Sequence, residues 1–249
     1  LVLAQGSTKE FRCPFHAWIY DLEGNLVAAS RPRGLPTFSA TNCRLPPINV
    51  DTWGGFVFIN FDRNCRPLSD YLDDDEFRES TAFMRPEDFV LVDRYTFEIE
   101  CNWKTSVDAF NEAYHLSATH AWTTEFSDDV NTVYDCYERH TRMIFPELQA
   151  SPRHPGAGTV TPGIREMFLK RVGIDVERFA GGPREARTAF AEAIRKLGPM
   201  LGADFSELNE SQMCDDFHYT IFPNVTFNTH SLFLWVFTHR PHPDDPNKM

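Results

Sequence analysis

Asn102-Trp103-Lys104 opens a stretch that continues through Asp108-Ala109-Phe110-Asn111-Glu112-Ala113-Tyr114-His115-Leu116-Ser117-Ala118-Thr119-His120, and the reading of this stretch decides the fold. Its apolar spacing predicts a helix over Asn102–His115. Glu112 precedes His115 by three residues and Asp108 precedes it by seven, so the three lie along one helical face. Two histidines five residues apart, His115 and His120, meet one ion if the helix ends or loosens between them. Two histidines and one carboxylate form the usual Fe(II) site of O2-using non-haem enzymes, with positions left open for O2 and substrate. A carboxylate one turn before the first histidine can accept its ring N–H, which fixes the tautomer and raises the basicity of the ligand. An amphipathic helix carrying two surface histidines would show the same spacing.

Working outward, Phe89–Glu100 alternates well enough to predict a strand. Arg165–Phe179 and Pro183–Leu197 predict amphipathic helices, the second opening with proline in its first turn. His218–Phe222, Val225–Asn228 and Ser231–Thr238 predict strands. Toward the N-terminus the pattern changes to short apolar runs and turns: Phe11–Cys13, Trp18–Tyr20 and Leu26–Ala28, then a loop-like Ser30–Pro47, then a strand over Trp53–Phe61. Asp70–Glu79 is acidic and predicts a solvated linker helix. The fold class is therefore α+β: a small all-β domain over residues 1–62, a linker over 63–88, and a second domain over 89–249.

Cys13-Pro14-Phe15-His16 is the other constellation. A Cys and a His in this spacing on a tight turn can face one metal, the proline stiffens the loop, and Phe15 and Trp18 are placed to shield it. In a Rieske [2Fe–2S] centre two cysteines hold one iron and two histidines the other, so Cys13 and His16 supply one of two half-sites. A buried thiol near an ordinary surface histidine fits the same four residues.

Taken together, Cys-Pro-Phe-His-Ala-Trp followed by Asp-x-x-Gly, and Glu-x2-His-x4-His behind Asn-Trp-Lys, resemble the α subunits of Rieske non-haem iron aromatic-ring-hydroxylating oxygenases over nearly the whole chain. The resemblance implies a Rieske [2Fe–2S] domain followed by a helix-grip catalytic domain, an antiparallel sheet wrapped around a long helix. It implies a cluster held through Cys13 and His16, and a mononuclear Fe(II) held by His115 and His120. The first Cys-x-His half-site is expected before Leu1, and the third iron ligand, an Asp in a late helix, beyond Met249. Asp215, Asp216, Asp244 and Asp245 are the weak alternatives for that ligand within the chain. The resemblance also implies a homotrimer, with or without β subunits, in which Glu112 links His16 of one subunit to His115 of the next. A ferredoxin or reductase would supply electrons, and O2 would hydroxylate, most simply dihydroxylate, an aromatic or other hydrophobic substrate. A monooxygenase or demethylase of the same superfamily, and a non-catalytic electron-transfer remnant, are the alternative readings. Ala109, Phe110, Leu116, Phe222, Asn224 and Phe227 are the expected pocket lining.

Composition bounds the rest. Of 249 residues 42% are hydrophobic, enough to bury a core. A net charge of −12 and a pI near 5.2 argue against nucleic acid or an anionic membrane as partner. No apolar run is long enough for a transmembrane helix, and six scattered cysteines suit reduced cytoplasmic thiols.

Overall fold

Cys13–Trp18 is closed into a turn between β1 (Phe11–Arg12) and β2 (Ile19–Tyr20), with the Cys13 N–H donating to Trp18 O at 2.7 Å. β3 (Leu26–Ala28) completes a three-stranded antiparallel sheet in the order β1-β2-β3. β4 (Asn49–Trp53) and β5 (Phe56–Asn60) form a separate hairpin. Gly54 and Gly55 turn it at φ of 56° and 80°, conformations a two-residue hairpin loop requires and side chains disfavour. The strand expected over Trp53–Phe61 is thus two strands, broken at the glycines. This computed structural model describes residues 6–30, 38–72 and 75–249, and the chain divides into two units, Leu1–Tyr71, which ends in α1 (Leu68–Tyr71), and Leu72–Met249.

In the second unit α2 (Asp75–Thr81) buries Phe77 completely, against Tyr137, His140 and Tyr219. The acidic segment expected to be a solvated linker therefore contributes a core side chain. Phe89–Glu100 forms no strand ladder among the described residues. Val90, Leu91 and Val92 are all exposed, and Ile99 exchanges two backbone hydrogen bonds with Met249. α3 (Trp103–Phe110) and α4 (Leu116–Thr119) come next, followed by β6 (Val133–Cys136) and β7 (Thr141–Phe145).

A long insertion lies in sequence between β7 and β8, which pair in the sheet. It contains α5 (Pro162–Ile164), which runs through a π-turn at Arg165–Leu169 to stop at Gly173, short of the helix end expected at Phe179. α6 (Pro183–Leu201) and α7 (Glu210–Cys214) follow. Ile164, Leu169, Ala191, Ile194 and Met213 form its core with Phe126 and Leu148. The chain then re-enters the sheet as β8 (Asp216–Ile221), β9 (Val225–His230) and β10 (Phe233–Thr238), giving the antiparallel order β10-β9-β8-β7-β6. No helix of the described residues is long and apolar enough to cross a membrane.

Alternation assigns the two faces of this sheet. Thr141, Met143 and Phe145 of β7 share one face with Asp216, His218 and Thr220 of β8 and with Thr226, Asn228 and His230 of β9. α3 covers this face: its Phe110 ring lies 6.1 Å from His218, 4.9 Å from Phe237 and 5.6 Å from His239. Tyr219, Phe217 and Phe227 point to the other face, where Tyr219 donates to Ser80 O of α2 at 2.5 Å.

Arg187 of α6 anchors the insertion to the start of β8. It donates to both carboxylate oxygens of Asp215, at 2.6 and 3.1 Å, and to Glu147 O at 2.6 Å. The Arg187 and Asp215 side chains are only 14% and 6% exposed. Removing one partner of a buried ion pair leaves an uncompensated charge and costs about 3–5 kcal/mol. Arg187→Met should therefore lower the urea midpoint substantially at unchanged slope; an unchanged midpoint would show that the pair adds nothing to stability.

Candidate metal centre

Asn102 starts α3 by accepting the Lys104 N–H on Oδ1 at 2.9 Å, the usual satisfaction of a free helix-terminal donor. The helix ends at Phe110, two residues before Glu112. Asp108 and His115 therefore do not share one continuous helical face, as the spacing had predicted, and Asp108 and Ala109 are exposed. The reason for the break is Asn111. Its Oδ1 accepts hydroxyls from Thr141 at 3.0 Å and Thr220 at 2.6 Å, which ties the end of the helix to two neighbouring strands. Next to it, the buried Ala113 donates its N–H to Tyr134 Oη at 3.0 Å and packs on Met143 and Phe145, with Leu116 beside them.

Held down on both sides of Glu112, the loop 111–115 lets this carboxylate curl back on His115. Oε2 accepts the His115 backbone N–H at 3.0 Å, and Oε1 accepts the ring Nδ1–H. Burial pushes the Glu112 carboxyl up, but the two hydrogen bonds from His115 outweigh it and hold the group below its ordinary value. An ionised Glu112 keeps the His115 proton on Nδ1 and leaves the Nε2 lone pair available. α4 then carries the chain one short turn to His120, whose ring lies 5.4 Å from that of His115 at 75°.

Two imidazoles at this separation, one with its tautomer set by a carboxylate, fit two ligands of a mononuclear iron site. Among the described residues no group of three or more His, Cys, Asp or Glu side chains converges as a metal site. Of the aspartates considered for a third ligand, Asp215 is held by Arg187 and by Ser211, at 2.6 Å from the latter. Asp216 contacts Asn228 and His230, whereas Asp244 and Asp245 sit in a turn where their N–H groups donate to His242 Nδ1.

Cys13 and His16 occupy the single β1–β2 turn, with Ala17 at φ 59°. The half-buried thiol and the exposed imidazole suit two of the four donors of a [2Fe–2S] centre. Phe15 does not shield them: it is 82% exposed, its ring 4.0 Å from that of His16, while Trp18 is half-buried against Phe38.

Of the expected pocket residues, Phe110 and Leu116 face the sheet beneath the histidines. Phe227 is buried on the opposite face, Phe222 is exposed in the β8–β9 turn, and Asn224 donates to His239 O at 2.8 Å. Sequence reasoning passed over Asn111, Tyr134 and Met143, which seat the loop. It also passed over the polar corner of the same sheet face, where Glu147, Asp216 and His230 come together. Burial, and the neighbouring Asp216 and Asp215, push the Glu147 carboxyl well above its ordinary value, while burial lowers His230. A His, a Glu and an Asp far apart in sequence gave no local signal; only strand register unites them.

Comparison with known proteins agrees with this architecture. A family described as the ring hydroxylating alpha subunit (catalytic domain) matches residues 86–249. The carnitine monooxygenase oxygenase subunit of Escherichia coli (strain K12) is 34% identical over 131 residues, 52% of this chain and 34% of that protein. The chloroplastic choline monooxygenase of Atriplex hortensis is 31% identical over 137 residues, 51% of this chain and 31% of that protein. The matched part is thus about a third of those relatives. Among solved structures, a quaternary ammonium Rieske monooxygenase superposes with a TM-score of 0.64 at 19% identity, covering 100% of this chain and 53% of that one. Naphthalene 1,2-dioxygenase from Rhodococcus sp. superposes with a TM-score of 0.58 at 20% identity, covering 98% and 53%. The chain belongs to the ring-hydroxylating oxygenase α-subunit family, with its catalytic domain at residues 86–249.

Proposed function

We propose that the protein is the oxygenase subunit of a Rieske non-haem iron monooxygenase acting on a quaternary ammonium compound. The observation that carries the chemistry is the Glu112 carboxylate on His115 Nδ1 with His120 alongside. The substrate class rests on relatives named for carnitine, choline and glycine betaine, each with a trimethylated nitrogen. It replaces the dihydroxylation of an aromatic compound expected from sequence. The polar, partly acidic sheet face around Asp216 also suits a charged substrate better than a bare hydrocarbon.

In this reading residues 1–62 are the later part of a Rieske domain, residues 63–88 a linker, and residues 89–249 belong to the iron domain. Cys13 and His16 would hold part of a [2Fe–2S] cluster, and His115 and His120 would hold the mononuclear iron, whose reduced form supplies the activation of O2. Glu112 keeps the proton on His115 Nδ1, orients the ring and, with its side chain 39% exposed, remains within reach of a neighbouring group. The assembly proposed with it is a trimer in which Glu112 links His16 of one subunit to His115 of another. A ferredoxin or reductase would donate the electrons, in the cytoplasm, where the six free thiols stay reduced.

Two measurements test this. The full-length enzyme, supplied with a reductase and O2, should oxidise carnitine, choline or glycine betaine with one product formed per O2 consumed. Turnover of naphthalene with none of the ammonium compounds would overturn the substrate class. Glu112→Gln should retain iron but lose activity about 10- to 100-fold, as partners of metal ligands do; an unchanged rate with electron supply in excess would remove Glu112 from the mechanism.

A further inference from the structure

The sheet face under the His115–His120 loop ends in a corner that the chemistry above leaves unused. Glu147 follows β7, Asp216 opens β8, His230 closes β9 and Phe233 opens β10, so strand register brings the four together. The corner adjoins the loop: Phe145, paired with Asp216 in the ladder, packs with Ala113 and Leu116 on either side of His115.

The corner has two properties. First, its carboxylates are poorly partnered. His230 Nδ1 lies 3.5 Å from Glu147 Oε2, and Nε2 lies 3.6 Å from Asp216 Oδ1, both beyond good hydrogen-bond length. Asp216 Oδ2 accepts from Asn228 Nδ2 at 2.8 Å, but Oδ1 is buried with no hydrogen-bond partner among the described residues. A buried carboxylate oxygen without a donor is costly, and other buried aspartates of this unit avoid it: Asp129 takes Ser151 at 2.5 Å and Arg153 at 2.6 Å. Second, it is walled by rings. Phe233 lies 4.5 Å from His230 and Trp235 lies 5.2 Å from Phe233, with Trp235 58% exposed and paired with Asn228 across the ladder.

A quaternary nitrogen has no N–H to donate. It is recognised by aromatic faces and by nearby anions rather than by hydrogen bonds. We propose that Asp216, Glu147, Phe233 and Trp235 form the subsite that holds the cationic head of the substrate, with the rings as its walls and Asp216 Oδ1 as its counter-charge. This rests on the quaternary-ammonium reading and adds the residues that would enforce it. Charge selects the ligand, so the uncharged tert-butyl isostere should gain nothing from Asp216.

The test uses the full-length enzyme with its reductase. Asp216→Asn and Trp235→Leu should each raise KM for the trimethylammonium substrate about tenfold, the loss of roughly one cation–π or charge contact, with a smaller change in kcat. Trp235→Phe should restore most of the affinity. Inhibition by the tert-butyl isostere should be unchanged in Asp216→Asn. Trp235 is at the surface, so its variants keep the test open even where Asp216→Asn fails to fold. If the parent enzyme oxidises the ammonium substrate and Trp235→Leu leaves KM within about twofold, the subsite is wrong while the function stands. If affinity for substrate and isostere falls equally in Asp216→Asn, the corner contributes shape and the proposal also fails. If the parent oxidises no ammonium compound at all, the underlying reading fails instead.

Discussion

One amide oxygen holds the candidate centre together. Asn111 Oδ1 accepts from Thr141 on β7 and Thr220 on β8, and so fixes the end of α3 to the sheet at a point where two strands meet. The helix cannot continue past that anchor, and the residues after it must lie flat over Met143 and Phe145. Ala113 is 1% exposed there, with its N–H bound to Tyr134 Oη, so no larger side chain fits without lifting the loop. With the helix broken at this place the His115 backbone N–H is free to donate to Glu112 together with the ring Nδ1–H, and α4 then brings His120 alongside. An unbroken helix would hold residues 115 and 120 about 140° apart around its axis, pointing away from a common ion.

How much of this was legible in the sequence varies with how local each constraint is. The pair His115 and His120, with a carboxylate three residues before the first, could be read because spacing along one loop is a local property. That reading already required the helix to end or loosen, and the structure places the break earlier than expected, before Glu112. Asp108 could not be excluded by spacing, because what separates it from His115 is two threonine hydroxyls 30 and 109 residues beyond Asn111. Phe89–Glu100 alternates like a strand but forms no ladder among the described residues, since a ladder depends on a partner that alternation does not specify.

The two faces of the sheet show the same limit in sharper form. Phe227 and Asn228 are neighbours in sequence, yet one is sealed into the far core and the other stands on the face that α3 covers. A one-residue error of phase exchanges the two faces. Phe227 was accordingly read as pocket lining, whereas Asn228 and Trp235 were passed over. Phe77 was hidden differently: it is one apolar residue in an acidic run, and composition weighed the run rather than the residue. The first misreading took phenylalanine as a marker of a hydrophobic pocket and supported the expectation of an aromatic substrate; the second overlooked a phenylalanine that belongs to the core.

Charge makes the final distinction. In an acidic protein buried carboxylates could all be scaffolding, and most here are: Asp215 is clamped by Arg187, Asp129 by Arg153 and Ser151, and Asp128 by Asn131 and Gln149. Glu147 and Asp216 are different because the groups around them do not neutralise them. His230 stands between the two and is held toward its neutral form by burial, while Arg187 is already committed to Asp215. Glu147 also faces Ser127, and its carboxyl is driven upward by burial and by the charges of Asp216 and Asp215. A raised carboxyl favours the neutral acid, so a proton on Glu147 and a bound organic cation would be alternative ways to relieve the same crowding of charge. In the proposed reading the cation would therefore be held more tightly as pH rises through the Glu147 titration, whereas a scaffold of matched ion pairs would show no such dependence.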